Sequence, residues 1–355
     1  MAGPLAPPSR HGSAPARVGR AAIAGALALA VTVSGCAWRL ESEPLVTPSP
    51  DAATLTRDAA ARREADVVLA LARTASTPGE GVLYDVAARV APLHLELLGG
   101  VYVPFPGATP SPSAAPPADP TPVSLQDAVT AARDGALADA FADSASPAGF
   151  RAGSMGFTYA LTLWWAQQVD AADGATQDGA TQDTTTADTT PAVSAPVTVR
   201  ALPWSGTTDA TVPTVPGASA VDATALADLA VMHDEARFLY EVVAARHEGQ
   251  ERTDLMARAA LHGARGDALV ALAGTDLRTP VYELPDARVA TAADAATACR
   301  EVEQAIGWRY MELTWGTDAT DRAWLMDFAF DAYAASALLP GFTTAQIPTL
   351  PGAAS

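Results

Sequence analysis

The chain contains no lysine. All 22 basic side chains are arginine, set against 40 acidic ones, and the formal charge is −18 over 355 residues. A surface so acidic repels phosphate backbones and anionic headgroups, which excludes nucleic acid as a ligand. Cysteine occurs twice, at Cys36 and Cys299, and there is no Cys-x-x-Cys, no Gly-x-Ser-x-Gly and no Gly-rich phosphate loop. One of the five histidines lies in the first 35 residues. A Ser/His/Asp arrangement would therefore need coincidental placement, and nucleophilic catalysis has little footing. The apolar run Ala21–Val33 is only about 13 residues, too short to span a bilayer permanently.

What that run does resemble is a secretory leader. Arg10, Arg17 and Arg20 precede it and Val33-Ser34-Gly35-Cys36 follows, small residues just before a Cys at the end of the apolar segment. The pattern is similar to the lipobox of bacterial lipoproteins. That resemblance implies cleavage before Cys36, a diacylglycerol on its sulfur and a protein held on the outer face of the cell membrane. Loss of residues 1–35 removes three Arg and no acid, so the formal charge moves from −18 to −21. With Cys36 lipidated, Cys299 has no partner for an intramolecular disulfide and reads as a small core residue.

The remainder is long enough for two domains and a sizeable core. Residues 36–50 read as a flexible tether. An N-terminal helical bundle is expected over 51–169. Its first helix runs from Asp51 to Thr74, with Leu55, Val67, Val68 and Leu71 as its apolar residues, and is broken by Pro78-Gly79. The second, Gly81 to Leu98, places Leu83, Val86, Val90, Leu93 and Leu97 inward. After a Pro-rich loop, Ser124 caps a third helix to about Ala142, and a fourth runs from Pro147 to Gln168 with Trp164 and Trp165 on it. Residues 170–217, rich in Thr, Asp and Ala and carrying a tandem Gly-Ala-Thr-Gln-Asp, read as a disordered linker. Residues 218–341 form the second bundle, and 342–355 are expected to be a disordered tail. The fold class is all-α.

The second bundle holds the candidate chemistry. Leu226, Leu229, His233, Ala236, Tyr240 and Val243 recur at three- and four-residue spacings, so His233 and Tyr240 point inward. A helix from Arg252 to Ala273 turns His262 inward and stops at Gly274. Another, Ala292 to Leu313, places Glu303 and Tyr310 on its apolar stripe with Cys299, and a last helix spans Asp321 to Leu339. Asp318, Asp321, Asp327 and Asp331 read as its solvated face. A buried Glu303 needs a partner, and Arg258 and Arg265 on the preceding helix are candidates.

His233 with Tyr240, the run Ala260-Leu261-His262 followed by Arg265 and Asp267, Tyr282-Glu283-Leu284-Pro285, and Glu303 with Tyr310 are together similar to the ferritin-like domain of unknown function found in actinobacterial envelope lipoproteins. The resemblance implies a ferritin-like four-helix bundle. The chain also departs from a working di-metal centre, which takes two Glu and two Glu-x-x-His motifs. His233 stands where that family has Glu, and Ala259 replaces the Glu three residues before His262. Two readings of the interior remain. In one, His233, His262 and Glu303 join Tyr240, Tyr310, Arg258 and Arg265 in a buried polar network without a cofactor. In the other, His233, His262 and Glu303 hold a single Fe or Zn for an oxidoreductase-like enzyme. The expectation is a lipid-anchored, non-enzymatic envelope protein that binds another envelope protein or a small hydrophobic ligand. His94 follows Ala91-Pro92-Leu93 much as His262 follows Ala259-Ala260-Leu261, with Glu96 near it, which hints at two related helical halves.

Overall fold

Residues 50–74, 81–103, 123–178 and 213–353 are described in a computed structural model. Cys36, where lipidation is expected, and most of the expected linker fall outside these residues. Eight α-helices make up the described part: α1 (Ala52–Thr74), α2 (Val82–Leu97), α3 (Leu125–Ala142), α4 (Pro147–Asp178), α5 (Ala223–Ala244), α6 (Gly249–Ala273), α7 (Ala292–Leu313) and α8 (Ala319–Ala337). None of them is long and apolar enough to cross a membrane.

The helix ends follow from local chemistry. The Ser124 side chain accepts from the Asp127 N–H, Asp222 from Thr224 and Ala225, and Asp318 from Asp321, each satisfying an N–H that the first turn leaves unpaired. Thr291 and Asp294 close a reciprocal capping box at the start of α7. Gly274 ends α6 in the left-handed conformation (φ 69°). Helix α4 runs to Asp178 and not to Gln168, so nine residues assigned to the linker continue the helix. The Ala and Gln of this stretch are good helix formers, which its low hydrophobicity had hidden.

Two inward faces differ from their expected phase. Leu93 and Leu97 are 43% and 50% exposed, while Val86, Ala87, Val90, Ala91 and His94 are buried; on α1, Leu55 is 54% exposed and Ala61, Glu64, Val67, Ala70 and Leu71 are buried. Alanine lets helices approach closely, so the packed stripe is the small one and the leucines lie off it. On α8 the correction is larger. Asp321 and Asp331 are buried, and nearly every side chain from Asp321 to Ala337 with them, because a helix apolar on all sides is enclosed on all sides.

The helices pack as hairpins α1–α2, α3–α4, α5–α6 and α7–α8, with α1 also against α3, α2 against α4 and α5 against α7. Helix α4 meets α8, so the two helical halves share a core. Phe157 packs edge-on against Phe330 and Tyr333 (6.0 and 5.6 Å), and Trp164 against Phe330 (5.8 Å). Arg322 of α8 reaches across to the Ala140 and Ser144 carbonyls. Where α7 crosses α8, Gly307 is required: a Cβ there would lie 2.7 Å from the Tyr333 ring.

The tail is a second correction. Residues 342–353 lie against the body of the protein, with a short turn at Thr344–Gln346 and with Ile347, Pro351 and Gly352 buried. A chain terminus orders when its backbone is tied down, and here side chains of α2 and α4 hold its carbonyls.

Candidate functional site

The three helices α5, α6 and α7 each turn polar side chains toward one point. His233 comes from α5, His262 and Arg258 from α6, and Glu303 and Tyr310 from α7; each is completely buried, as is Tyr240. They converge as the sequence spacing implied. Glu303 Oε1 accepts from Tyr240 O–H (2.9 Å), Arg258 Nε (2.7 Å) and His262 Nε2 (3.1 Å), while its Oε2 accepts from Arg258 Nη2 (2.7 Å). His262 Nδ1 lies 2.9 Å from His233 Nδ1, and His233 Nε2 lies 2.8 Å from Tyr310 O–H.

With both rings neutral, that pattern fixes the protons. A carboxylate only accepts, so His262 must donate from Nε2 and accept at Nδ1. His233 then donates from Nδ1 and accepts at Nε2, which leaves Tyr310 as donor. Neutral rings are the form that burial favours here. Burial, joined for His233 by the other imidazole and for both by the two arginines, holds their pKa values below the ordinary 6.5, well below it for His233. Burial would raise the Glu303 carboxyl, but Arg258 and His262 outweigh it and hold it well below the usual carboxylate range. Burial and the adjacent Glu303 push Tyr240 well above 10.0.

One member was misassigned from the sequence. Asp331 of α8, read there as solvated, accepts from Arg258 Nη1 (2.9 Å) and Arg265 Nη1 (2.5 Å). Arg258 therefore bridges two acids with all three of its nitrogens, and Arg265 lies over the Phe328 ring (4.7 Å). Two arginines and two carboxylates make the cluster neutral overall, as a dry interior requires. The available signal was the apolar run on either side of Asp331, Phe328-Ala329-Phe330 before it and Ala332-Tyr333-Ala334-Ala335 after it.

The mononuclear metal reading does not fit this donor set. A cation would need lone pairs of Glu303 and of both imidazoles facing one empty point. Instead the Arg258 fork takes both carboxylate oxygens, the two Nδ1 atoms share a proton with one another, and both remaining ring nitrogens are engaged. Two guanidinium charges also stand within the cluster. Among the described residues no group of three or more His, Cys, Asp or Glu side chains is arranged to hold a metal ion.

A second buried acid–imidazole pair lies in the N-terminal half. Tyr159 O–H donates to Glu64 Oε2 (2.5 Å), and His94 Nδ1 sits 3.4 Å from Glu64 Oε1 with its ring edge-on to Tyr159. The sequence pointed to Glu96 beside His94; the acid that meets it is Glu64. The two halves are not simple repeats, because the acid stands on the first helix here and on the third in the other half. His247 lies in the α5–α6 turn against Glu251 (2.9 Å) and joins neither cluster. Cys299 is buried on α7, its thiol pushed up to about 12 by desolvation and the nearby Glu303.

No family model, no curated protein and no solved structure matches the chain.

Proposed function

We propose that this is a lipid-anchored, extracytoplasmic envelope protein of ferritin-like helical architecture that works by binding another envelope component and not by catalysis. The observation that carries this reading is the Arg258 fork on Glu303. Arg258 holds both oxygens of Glu303, and the ring nitrogens of His262 and His233 are already engaged. A buried, charge-neutral network in which Glu303 and both imidazoles are engaged ties the helices in register; the atoms it leaves without a hydrogen-bond partner are Asp331 Oδ1 and Arg265 Nε and Nη2. The surface is left to do the work, and its strong acidity favours partners that are basic or neutral.

Two measurements test the reading separately. Elemental analysis of purified protein should find no stoichiometric Fe, Zn or Mn; one metal per chain, lost in His262→Ala, would replace it with the metal enzyme. Metabolic labelling with a fatty acid should mark the protein and be abolished by Cys36→Ser, and unchanged labelling of that variant would remove the anchor.

A further inference from the structure

The buried C-terminal tail reads Ile347-Pro348-Thr349-Leu350-Pro351-Gly352-Ala353, and almost the same sequence, Val212-Pro213-Thr214-Val215-Pro216-Gly217-Ala218, stands before α5. The two agree in both prolines, the threonine, the glycine and the alanine, and they differ only between aliphatic residues.

The tail copy lies in a groove built for a chain of this kind. Arg89 Nη2 donates to the carbonyls of Thr344 and Ile347 (3.0 and 2.8 Å), and His94 Nε2 to that of Thr349 (3.0 Å). The Thr158 hydroxyl reaches the Pro348 and Thr349 carbonyls (2.9 and 3.0 Å), and the Ser154 hydroxyl the Pro351 carbonyl (2.9 Å). Each of these contacts is a side-chain donor on a main-chain acceptor. Proline has no N–H to leave unpaired, so a strand with two prolines suits a wall of donors. Ile347, at φ −70° and ψ 119°, is extended in the region polyproline II occupies, and its side chain is fully buried as the anchor. The glycine is demanded by shape. Gly352 has φ +79°, and a Cβ on it would meet the Met311 and Glu312 backbone at 2.5 Å.

The copy before α5 is held differently. Thr214 and Gly217 are exposed, Val215 is half-buried against the core, and its anchorage lies beyond the motif, where Asp321 accepts from the Ser219 hydroxyl (2.6 Å) and the Ala220 N–H (2.8 Å). Each chain thus carries one such groove and two segments that satisfy its demands.

We propose that the groove between α2 and α4 is an exchangeable recognition site for aliphatic-Pro-Thr-aliphatic-Pro-Gly segments, filled in cis by residues 347–353 and in trans by residues 212–218 of a second copy of this chain. The tail acts as an internal competitor. Its covalent link gives it an effective concentration on the order of millimolar, so the trans complex forms when the tail is displaced.

The test uses the full chain and two synthetic peptides, residues 346–353 and 212–218, with a scrambled peptide as control. Full chain carrying Gly352→Val, which detaches the tail, should bind both peptides saturably and competitively. It should lose at least tenfold in affinity when Arg89→Gln is added, and it should ignore the scramble. Helical circular dichroism of the variant establishes that it is folded. The unaltered chain gives an arm that needs no variant: about 5 mM of the 212–218 peptide should speed amide exchange at Ile347 and Ala353, whose N–H groups are bonded within the docked tail, and native mass spectrometry of concentrated protein should find dimers that excess peptide dissolves. Unchanged exchange, or binding no better than the scramble, overturns the site. Peptide binding without any association of full-length copies would mean that another protein supplies the segment, and the second-copy claim would fall.

Discussion

Glu303→Gln removes one charge from the buried cluster and changes its shape very little. The amide oxygen still accepts from Tyr240 and His262, but the amide nitrogen now faces Arg258 Nη2, donor against donor, where a 2.7 Å bond had been. The cluster is left with two guanidinium groups and the single acid Asp331, all in a site with 0–4% side-chain exposure. Breaking a buried pair from one side costs about 3–5 kcal/mol, because the surviving charge stays desolvated. That is a large part of a typical folding free energy of roughly 5–15 kcal/mol, and it lowers Tm by about 10 °C in a chain of this size. Adding Arg258→Met restores neutrality, since Arg265 and Asp331 still balance, and should recover at least about 2 kcal/mol of the loss as coupling energy. Urea unfolding followed by circular dichroism measures all four corners of the cycle. A single-variant loss below about 1 kcal/mol, or strictly additive variants, would refute the argument that these charges hold one another in a dry interior.

The same groups set the pH response. His233 and His262 have folded pKa values below the 6.5 of an exposed imidazole, so the unfolded chain takes up protons first as pH falls. Stability is therefore full above about 6.5 and declines below it; the depressed Glu303 and Asp331 add a further decline below ordinary carboxylate values. His233→Gln should flatten the stability profile between pH 7 and pH 5, and an unchanged slope would mean that His233 titrates normally. Gly307→Val places atoms inside the Tyr333 ring contact and should destabilise by about 1–3 kcal/mol, read as a shift in urea midpoint at constant slope. The Cys299 thiol, buried and pushed up to about 12, should resist a thiol-specific disulfide reagent at pH 8 until the protein unfolds, and prompt labelling of the native state would place it at the surface.

How far the sequence carried depends on which residues bear the pattern. In the second bundle, aliphatic and aromatic residues alternate with the helical period, and His233, Tyr240, His262, Glu303 and Tyr310 could be placed on inward faces that do converge. The helix limits at Ser124 and Gly274 followed from the sequence, where the chemistry is local. In the first bundle the packed stripe is alanine, which carries little hydrophobic contrast, and the more conspicuous Leu55, Leu93 and Leu97 pulled the predicted phase of α1 and α2 away from Glu64 and His94. Asp331 was misread because an acid on a helix usually faces water, a rule that fails when apolar residues surround it on every side. The tail failed for a related reason: its order comes from Arg89, His94, Ser154 and Thr158, which lie some two to three hundred residues away in sequence and leave no mark on the local composition of 342–353.

The most direct test of the mutually engaged imidazoles is nitrogen NMR of the two rings across pH 7 to pH 5, with and without added Zn. The account predicts two neutral rings, His233 protonated on Nδ1 and His262 on Nε2, coupled through the hydrogen bond between them and unmoved by the metal. A ring that titrates near 6.5, the opposite tautomers, or nitrogen shifts that follow one equivalent of Zn would contradict it.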